Sequence, residues 1–261
     1  MNILCWSGGK DSTASIILDH FKNGHQIDEI VTSLIYFDKK RGIYADHPKT
    51  IEFIFKAKKI FESWGYKVTI ISSDKDYMYW FFKRRGNRCK HKEYCGKYYG
   101  WVLVSMCHMN GEKIQPIKKY LKQFKDVTEY VGIGIEETPR LERLHKRGQI
   151  SLLEKFNMTC EDAKKLCVEY DLLSPTYETS NRGGCWFCPN SNVKQFIKLK
   201  KEHPELWNEL VELNKYKDEI VTNNFTYGKT FDEIQREVDL CADQISMFDL
   251  VDKNKDEGED E

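Results

Sequence analysis

The first 135 residues alternate short apolar runs with amphipathic stretches, and this alternation strongly limits the folds open to the chain. The apolar runs 2–6, 29–37, 67–73 and 129–135 have the length and the Ile, Val and Tyr content of β-strands. Strands that alternate with helices pair in parallel, because each helix returns the chain to the same end of the sheet. The sequence therefore predicts an α/β fold, a Rossmann-like parallel sheet with helices on both faces.

After about residue 150 the pattern becomes helical, and Thr159 and Thr230 each open a sequence typical of a helix capping box. We expect an α/β domain over 1–150, a helical region over 151–250 that carries a cysteine loop, and an acidic disordered tail over 251–261. The change near residue 150 is either a domain boundary or a change of layer within one domain.

Composition and charge exclude several classes of protein. Apolar residues make up 40% and charged residues 31%, and no apolar stretch approaches the ~20 residues of a membrane-spanning helix. Lys10 and Asp11 follow the first apolar run too soon for a signal peptide. We therefore expect a cytoplasmic protein without membrane contact, whose cysteines are thiols or metal ligands. Without the acidic end, Asp252 onward, the chain has 39 basic and 35 acidic residues, a balance that suits a phosphate-bearing small molecule.

The hexapeptide Ser7-Gly8-Gly9-Lys10-Asp11-Ser12 lies between the first predicted strand and the first predicted helix. A helix N-terminus offers unpaired backbone N–H groups to an anion, and glycines let the backbone approach it closely. The lysine adds a positive charge and the two serines add hydroxyl donors. The P-loop pattern is absent. We expect this loop to bind phosphate, whereas the alternative is an ordinary strand-to-helix turn.

This hexapeptide resembles the PP-motif of the adenine-nucleotide α-hydrolase superfamily, which includes ATP pyrophosphatases, sulfur-transferring tRNA and DNA modification enzymes, and PAPS reductases. The resemblance implies that all six residues of the loop contact an adenine nucleotide, ATP or a PAPS-like compound. It also implies catalytic roles for Lys10 and Asp11. A Mg²⁺ ion would suit such a nucleotide.

Further segments resemble the PAPS reductase branch. Four features of the chain are similar to the pattern of that branch: Asp38 after the second strand, Cys107 followed by the segment 113–121, the segment 132–140 and the loop 182–189. The resemblance implies that Asp38, Gly132 and Arg143 bind the nucleotide and that Arg140 is catalytic. Arginine offers a rigid fork to an anion. The alternative is that both arginines lie on a solvated helix surface and have no role in binding.

Two cysteines, Cys185 and Cys188, have the two-residue gap that lets both sulfurs reach one metal ion. The resemblance adds Cys107 as a third ligand, and the fourth is Cys95 or Cys89. It favours a [4Fe–4S] cluster, with zinc or a metal-free pair as alternatives. Four other cysteines lie in predicted apolar faces and are interpreted as core thiols: Cys5, Cys160, Cys167 and Cys241.

The resemblance has a gap that leaves the reaction open. PAPS reductases attack their substrate with a cysteine in a Glu-Cys-Gly motif near the C-terminus, and this sequence has none. We expect an enzyme of sulfur or adenylyl transfer. The alternatives are an ATP-dependent tRNA or DNA sulfurtransferase or pyrophosphatase, and a nucleotide-binding subunit without turnover. A homo-oligomer or a sulfur-donor partner is open as well.

The segment 83–97 holds seven Lys or Arg residues against one acid, Glu93, and aromatic residues lie within and beside it. Basic and aromatic side chains together bind single-stranded nucleic acid through phosphate contacts and base stacking. The alternative is a solvated loop over the active site.

Overall fold

The computed structural model describes residues 1–86, 88, 91–102, 107–178 and 183–241. These residues form two compact units. The first consists of Met1–Tyr77 and Met109–Cys185, and the second of Met78–His108 with the chain from Trp186 onward. The predicted boundary near residue 150 lies inside the first unit, which favours the alternative of a change of layer at that point.

The first unit contains a four-stranded parallel sheet, so the predicted α/β fold is confirmed. Its strands are β1 (Asn2–Cys5), β2 (Glu29–Leu34), β5 (Lys67–Ser72) and β7 (Thr128–Tyr130), in the order β5-β2-β1-β7. The predicted strand 29–37 is broken after β2. Its second part, β3 (Tyr36–Asp38), pairs in the antiparallel sense with β4 (Ile43–Tyr44) as a separate hairpin.

Helices flank this sheet and bury its apolar residues in a hydrophobic core. They are α1 (Lys10–Phe21), α2 (Pro48–Ser63), α4 (His108–Leu121, in the first unit from Met109), α5 (Thr138–His145), α6 (Leu152–Lys155) and α7 (Cys160–Glu169). Buried apolar residues of α1 and α2 pack with those of β1 and β2, including Leu4, Ile17, Ile30 and Phe61. Such burial is the main favourable contribution to folding.

Two helix starts test the capping predictions. The predicted capping box of α7 is confirmed, because Thr159 and Asp162 exchange side-chain and backbone hydrogen bonds. The predicted capping box at Thr230 is confirmed as well, because the Thr230 N–H donates to the Glu233 carboxylate (2.7 Å) and the Glu233 N–H donates to Thr230 Oγ1 (3.4 Å). In α2 the N-cap is His47, whose Nδ1 accepts from the N–H of Lys49. Asp46, one residue earlier, forms a backbone bridge with Cys185.

The second unit combines small sheets with helices, as expected for a mainly helical C-terminal region. Its elements include α3 (Tyr77–Phe81, in this unit from Met78), β6 (Tyr98–Gly100), α8 (Val193–Glu202), α9 (Pro204–Asn214), β8 (Ile220–Thr222), β9 (Asn224–Thr226), β10 (Lys229–Thr230) and α10 (231–241). Its core is aromatic. The ring of Trp101 lies 4.9 Å from that of Phe225 and 5.6 Å from that of Phe231.

Within the described ranges, none of the helices combines the length and apolar character that crossing a membrane requires. The predicted acidic tail over 251–261 lies outside the described residues.

Candidate functional site

The order of the strands places the loop that follows β1 at a change of chain direction. From β1 the chain builds the sheet outward through β2 to β5, and it then crosses back to add β7 on the other side of β1. The segments that leave the carboxyl ends of β1 and β7 diverge at such a point, which is where open α/β sheets bind ligands. The hexapeptide Ser7–Ser12 follows β1, and Gly132 follows β7.

The backbone of the hexapeptide turns at Gly8, whose φ of +74° lies in the region that favours glycine. A side chain there would also press on Ile54, since a Cβ would lie 3.1 Å from Ile54 Cγ1. Two serine side chains hold the turn. The Ser7 N–H donates to Ser12 Oγ (3.2 Å), and that hydroxyl donates to the Gly9 carbonyl (3.1 Å).

Half of the six backbone N–H groups in this loop are paired within the protein. Besides that of Ser7, the Gly9 N–H donates to Ser7 Oγ (3.3 Å) and the Lys10 N–H donates to the phenol oxygen of Tyr177 (3.1 Å). The N–H groups of Gly8, Asp11 and Ser12 have no partner in the part of the chain that the structure describes. The unpaired groups at the start of the 12-residue α1 can receive an anion.

The Lys10 and Asp11 side chains form an ion pair at this helix start, with Nζ 2.7 Å from Oδ1. Burial lowers the pKa of Lys10, but the hydrogen bond to Asp11 and the charge of that carboxylate outweigh it, so the pKa is raised. Both side chains are largely buried, at 17% and 23% exposure. The ion pair with Asp11 therefore fixes the positive charge of Lys10 beside the unpaired amides.

Gly132 covers the peptide group between Asp11 and Ser12 from the β7 side. A Cβ on Gly132 would come under 3.0 Å from both the Ser12 nitrogen and the Asp11 carbonyl carbon. Gly134 is equally constrained, because its Cβ would lie 2.8 Å from the Cys160 nitrogen. These two positions require glycine for close approach, so the segment after β7 is packed directly on the start of α1 and α7.

Cys160 differs from its predicted place in the core. It is half-buried, its N–H donates to Glu136 Oε1 (2.8 Å), and its thiol contacts Glu137 Oε2 (3.8 Å). Burial, and then the hydrogen bond to Glu136, raise the pKa of the Cys160 thiol to about 12. The reason for the difference is its position at the first residue of α7, where the side chain meets the segment after β7 rather than the apolar core.

Cys167 is a buried thiol, as predicted, and it also contacts the loop. Its Sγ–H donates to the Lys10 carbonyl (3.2 Å), and burial raises its pKa to about 12. Cys5 is half-buried, and burial raises its pKa as well.

Two groups that act on Lys10, one by a hydrogen bond and one by its charge, were not assigned to the site from the sequence. Tyr177 reaches Lys10 from a 3-10 turn (Pro175–Glu178) that no motif marks. Glu136 belongs to the acidic pair of the segment 132–140, which was a signal for it. Burial raises the pKa of Glu136, but the N–H groups that it accepts and the charge of Lys10 outweigh this, so its pKa is lowered.

The remaining predicted nucleotide contacts lie farther along the first unit. Asp38 closes the β3–β4 turn, where it accepts from Arg41 Nε (2.7 Å) and from the N–H of Lys40 (3.0 Å). Arg140 pairs with Glu137 in the first turn of α5, and Arg143 is exposed on the same helix. The structure does not bring either arginine into contact with the hexapeptide, and their roles stay predictions.

The predicted cysteine ligands are not gathered into a metal site among the described residues, which contain no group of three or more His, Cys, Asp or Glu side chains able to hold a metal ion. Cys95 takes part in a disulfide. Cys107, Cys185 and Cys188 are half-buried and form no disulfide. Since a metal needs thiolates, the disulfide does not fit the predicted set, and Cys89 is outside the described residues.

Comparison with known proteins supplies a distant relative. The chain is similar to an uncharacterized protein of Methanocaldococcus jannaschii, with 26% identity over 219 residues that cover 80% of this chain and 46% of that protein. The chain thus spans about half the length of the curated relative it matches. No protein-family model matches the chain.

Proposed function

We propose that the first unit binds an adenine nucleotide, ATP or a PAPS-like compound, with its phosphates on the loop Ser7–Ser12. The single observation that carries the proposal is the set of unpaired N–H groups at Gly8, Asp11 and Ser12, within the described residues, beside the held charge of Lys10. Backbone N–H groups at a helix N-terminus and a lysine are the standard protein partners of phosphate. The resemblance to PP-motif proteins supplies the adenine.

The protein is an enzyme of sulfur or adenylyl transfer in this proposal, similar to PAPS reductases. The state of the two thiols nearest the loop favours adenylyl transfer over reduction of a sulfonucleotide. The pKa values of Cys160 and Cys167 are both raised to about 12, and a thiol attacks only as its thiolate. Neither cysteine is therefore prepared to attack a sulfonucleotide at neutral pH.

In the adenylyl step an acceptor oxygen attacks the α-phosphorus, a phosphorus–oxygen bond forms, the α–β anhydride bond of ATP breaks, and pyrophosphate leaves with the electron pair. Lys10 and the unpaired amides stabilise the negative charge that builds on the phosphates. Asp11 offers the carboxylate oxygen that Mg²⁺ prefers, and a bound Mg²⁺ would neutralise part of the phosphate charge. We expect this chemistry in the cytoplasm.

Titration calorimetry with ATP, with PAPS and with inorganic sulfate tests the binding. Lys10→Ala removes the charge, so we expect at least a tenfold weaker affinity for ATP or PAPS. Lys56→Ala is the matched control, because Lys56 is exposed and pairs with Asp171 elsewhere in the first unit. Equal ATP and PAPS affinities of wild type and Lys10→Ala would contradict the assigned role.

Product assays then separate three alternatives: adenylyl transfer, reduction and binding without turnover. Pyrophosphate released from ATP supports adenylyl transfer, and sulfite released from PAPS supports reduction. Nucleotide binding without either product, in the presence of candidate acceptors and reductants, favours the alternative of a subunit without turnover.

A further inference from the structure

The second unit carries a basic edge beside β6. Residues 83–85 run antiparallel to β6, with the Tyr99 N–H donating to the Lys83 carbonyl (2.9 Å) and the Arg85 N–H donating to the Lys97 carbonyl (2.9 Å). Side chains alternate between the two faces of an extended segment. Lys83 and Arg85 therefore share one face with Tyr99, and Arg84 lies on the opposite face with Tyr98.

Aromatic rings form the base of the first of these faces. The rings of Trp80 and His108 are stacked, with centroids 4.0 Å apart and planes 9° apart. Lys83 Nζ lies 4.5 Å from the Trp80 centroid, and Arg85 Cζ lies 4.9 Å from the Tyr99 centroid. These five residues are half-exposed, and we call them the Trp80–Tyr99 face.

The cations of this region lack an anionic partner in the described structure. No carboxylate within the described ranges lies at ion-pair distance from Lys83, Arg84, Arg85, Arg88, Lys92 or Lys97. Other lysines of the same unit are paired: Lys198, Lys200, Lys215, Lys217 and Lys229. Six uncompensated charges within fifteen positions produce a positive surface potential that attracts polyanions.

Arg85 adds a second, independent observation. Its Nε is buried and has no hydrogen-bond partner among the residues that the structure describes. A buried polar group without a hydrogen-bond partner costs free energy. A ligand that offers an acceptor to the Arg85 Nε–H group therefore stabilises the protein when it binds. The Arg85 guanidinium lies over the Tyr99 ring, and an arginine offers a rigid, charged fork to phosphate oxygens.

We propose that the second unit binds single-stranded nucleic acid on the Trp80–Tyr99 face. The phosphates lie along the cations that lack an anionic partner, and unstacked bases stack on the layers that His108 forms with Trp80 and Arg85 forms with Tyr99. A duplex keeps its base faces covered, so the rings favour a single strand. Every residue of this face belongs to the second unit, so the proposal does not rest on the nucleotide site of the first.

Fluorescence anisotropy of the full chain with labelled 20-nucleotide oligo(U) and oligo(dT) tests the proposal at several salt concentrations. Tyr99→Ala removes one stacking platform, so we expect an affinity lower by about fivefold to a hundredfold. Arg88→Ala and Lys92→Ala each remove one exposed charge. The slope of log affinity against log salt is negative. For each phosphate that a variant no longer neutralises, we expect the magnitude of this slope to decrease by about 0.7.

Two matched controls come from the same unit. Lys215→Ala removes a cation that is already paired with Glu212, and Tyr227→Ala removes an exposed ring far from any basic cluster in sequence. Both should bind as wild type does. Lys10→Ala should bind the oligonucleotide normally, which separates a failure of this proposal from a failure of the nucleotide site.

Three outcomes would overturn the proposal. The first is no binding of either oligonucleotide at low salt. The second is binding that Tyr99→Ala, Arg88→Ala and Lys92→Ala all leave unchanged. The third is equal affinity for duplex, oligonucleotide and phosphatidylserine vesicles with no effect of Tyr99→Ala, which would make the face a general anion surface. Thermal melts check that Tyr99→Ala folds, and the exposed Arg88 and Lys92 variants test the surface if it does not.

Discussion

Gly132 lies so close to Ser12 that a side chain at Gly132 would come under 3.0 Å from the Ser12 backbone nitrogen. This contact joins the segment after β7 to the first turn of α1, at the edge of the sheet where the unpaired amides lie. A backbone neighbour cannot move aside as a flexible side chain can. The position of the loop Ser7–Ser12 therefore depends on the absence of a side chain at residue 132.

Gly132→Ala should damage both stability and nucleotide binding. The added methyl group must push the segment after β7 away from Ser12, so we expect a loss of about 1–3 kcal/mol in the free energy of unfolding and at least a tenfold weaker affinity for ATP. Urea unfolding and calorimetry measure the two effects.

Gly111→Ala is the matched control for Gly132→Ala. Gly111 lies inside α4 with open space around it, and its φ is not positive. Alanine in a helix interior is favoured over glycine by roughly 0.5–1 kcal/mol. We expect a small gain in stability and unchanged ATP affinity. Equal stability of wild type and Gly132→Ala would show that the close contact does not exist.

The thiols beside the loop should be unreactive at neutral pH. Because the pKa values of Cys160 and Cys167 are raised to about 12, the thiolate fraction at pH 8 is on the order of 10⁻⁴. We expect iodoacetamide to alkylate both far more slowly in the folded chain than in guanidinium, with a rate that rises with pH above 8. Peptide mass spectrometry over time measures this. Folded and unfolded rates that agree for the half-buried Cys160 would contradict the raised pKa.

Glu29 should make the first unit sensitive to acid. Its side chain is fully buried and accepts from Tyr120 (2.7 Å) and from Lys67 (3.1 Å), as well as from Thr69. Burial raises the pKa of Glu29, but these hydrogen bonds and the charge of Lys67 outweigh burial and lower it. A lowered pKa stabilises the folded state above the ordinary value of 4.5, and this stabilisation is lost as pH falls below it.

Glu29→Gln tests this sign directly. We expect the variant to lose about 1–3 kcal/mol of stability at pH 7 and to approach the wild type in stability as the pH falls toward 3. Urea unfolding at each pH measures the difference. A difference between the two proteins that grows as the pH falls would contradict the assignment.

Metal analysis tests the predicted cysteine ligands. If the resemblance to PAPS reductases extends to the metal, anaerobic purification gives about four irons with sulfide per chain, whereas zinc would indicate a structural site. We expect Cys188→Ser to lose the metal. Cys95→Ser should keep it, because Cys95 takes part in a disulfide. Loss of metal from Cys95→Ser would return Cys95 to the ligand set.

The parallel sheet and the place of the loop Ser7–Ser12 between β1 and α1 could be predicted from the sequence because both depend on local patterns. Ile3 and Leu4 in a short apolar run, glycines after it and an amphipathic helix next are adjacent in the chain. The contact of Tyr177 with Lys10 could not be predicted, since it joins residues 167 positions apart. The same holds for Cys160, whose surroundings are set by the packing of α7 on the segment after β7.

The division of the chain into two units also could not be predicted from the sequence. The second unit joins Met78–His108 to the chain after Trp186, and β6 pairs with β8 through Tyr98 and Ile220. No periodicity reveals a pairing of strands so far apart in the chain. The change from alternating to helical pattern near residue 150 is real, but it reflects α6 and α7 packing on α1 within the first unit.

The most direct test of the central claim is a nitrogen–proton correlation NMR titration of the protein with ATP. Hydrogen bonds to phosphate shift amide resonances strongly, so the account predicts that the largest saturable changes fall on the N–H groups of Gly8, Asp11 and Ser12. Small changes should fall on Lys10, whose N–H is already paired with Tyr177. Saturable shifts that spare these three amides and cluster elsewhere in the protein would contradict the account.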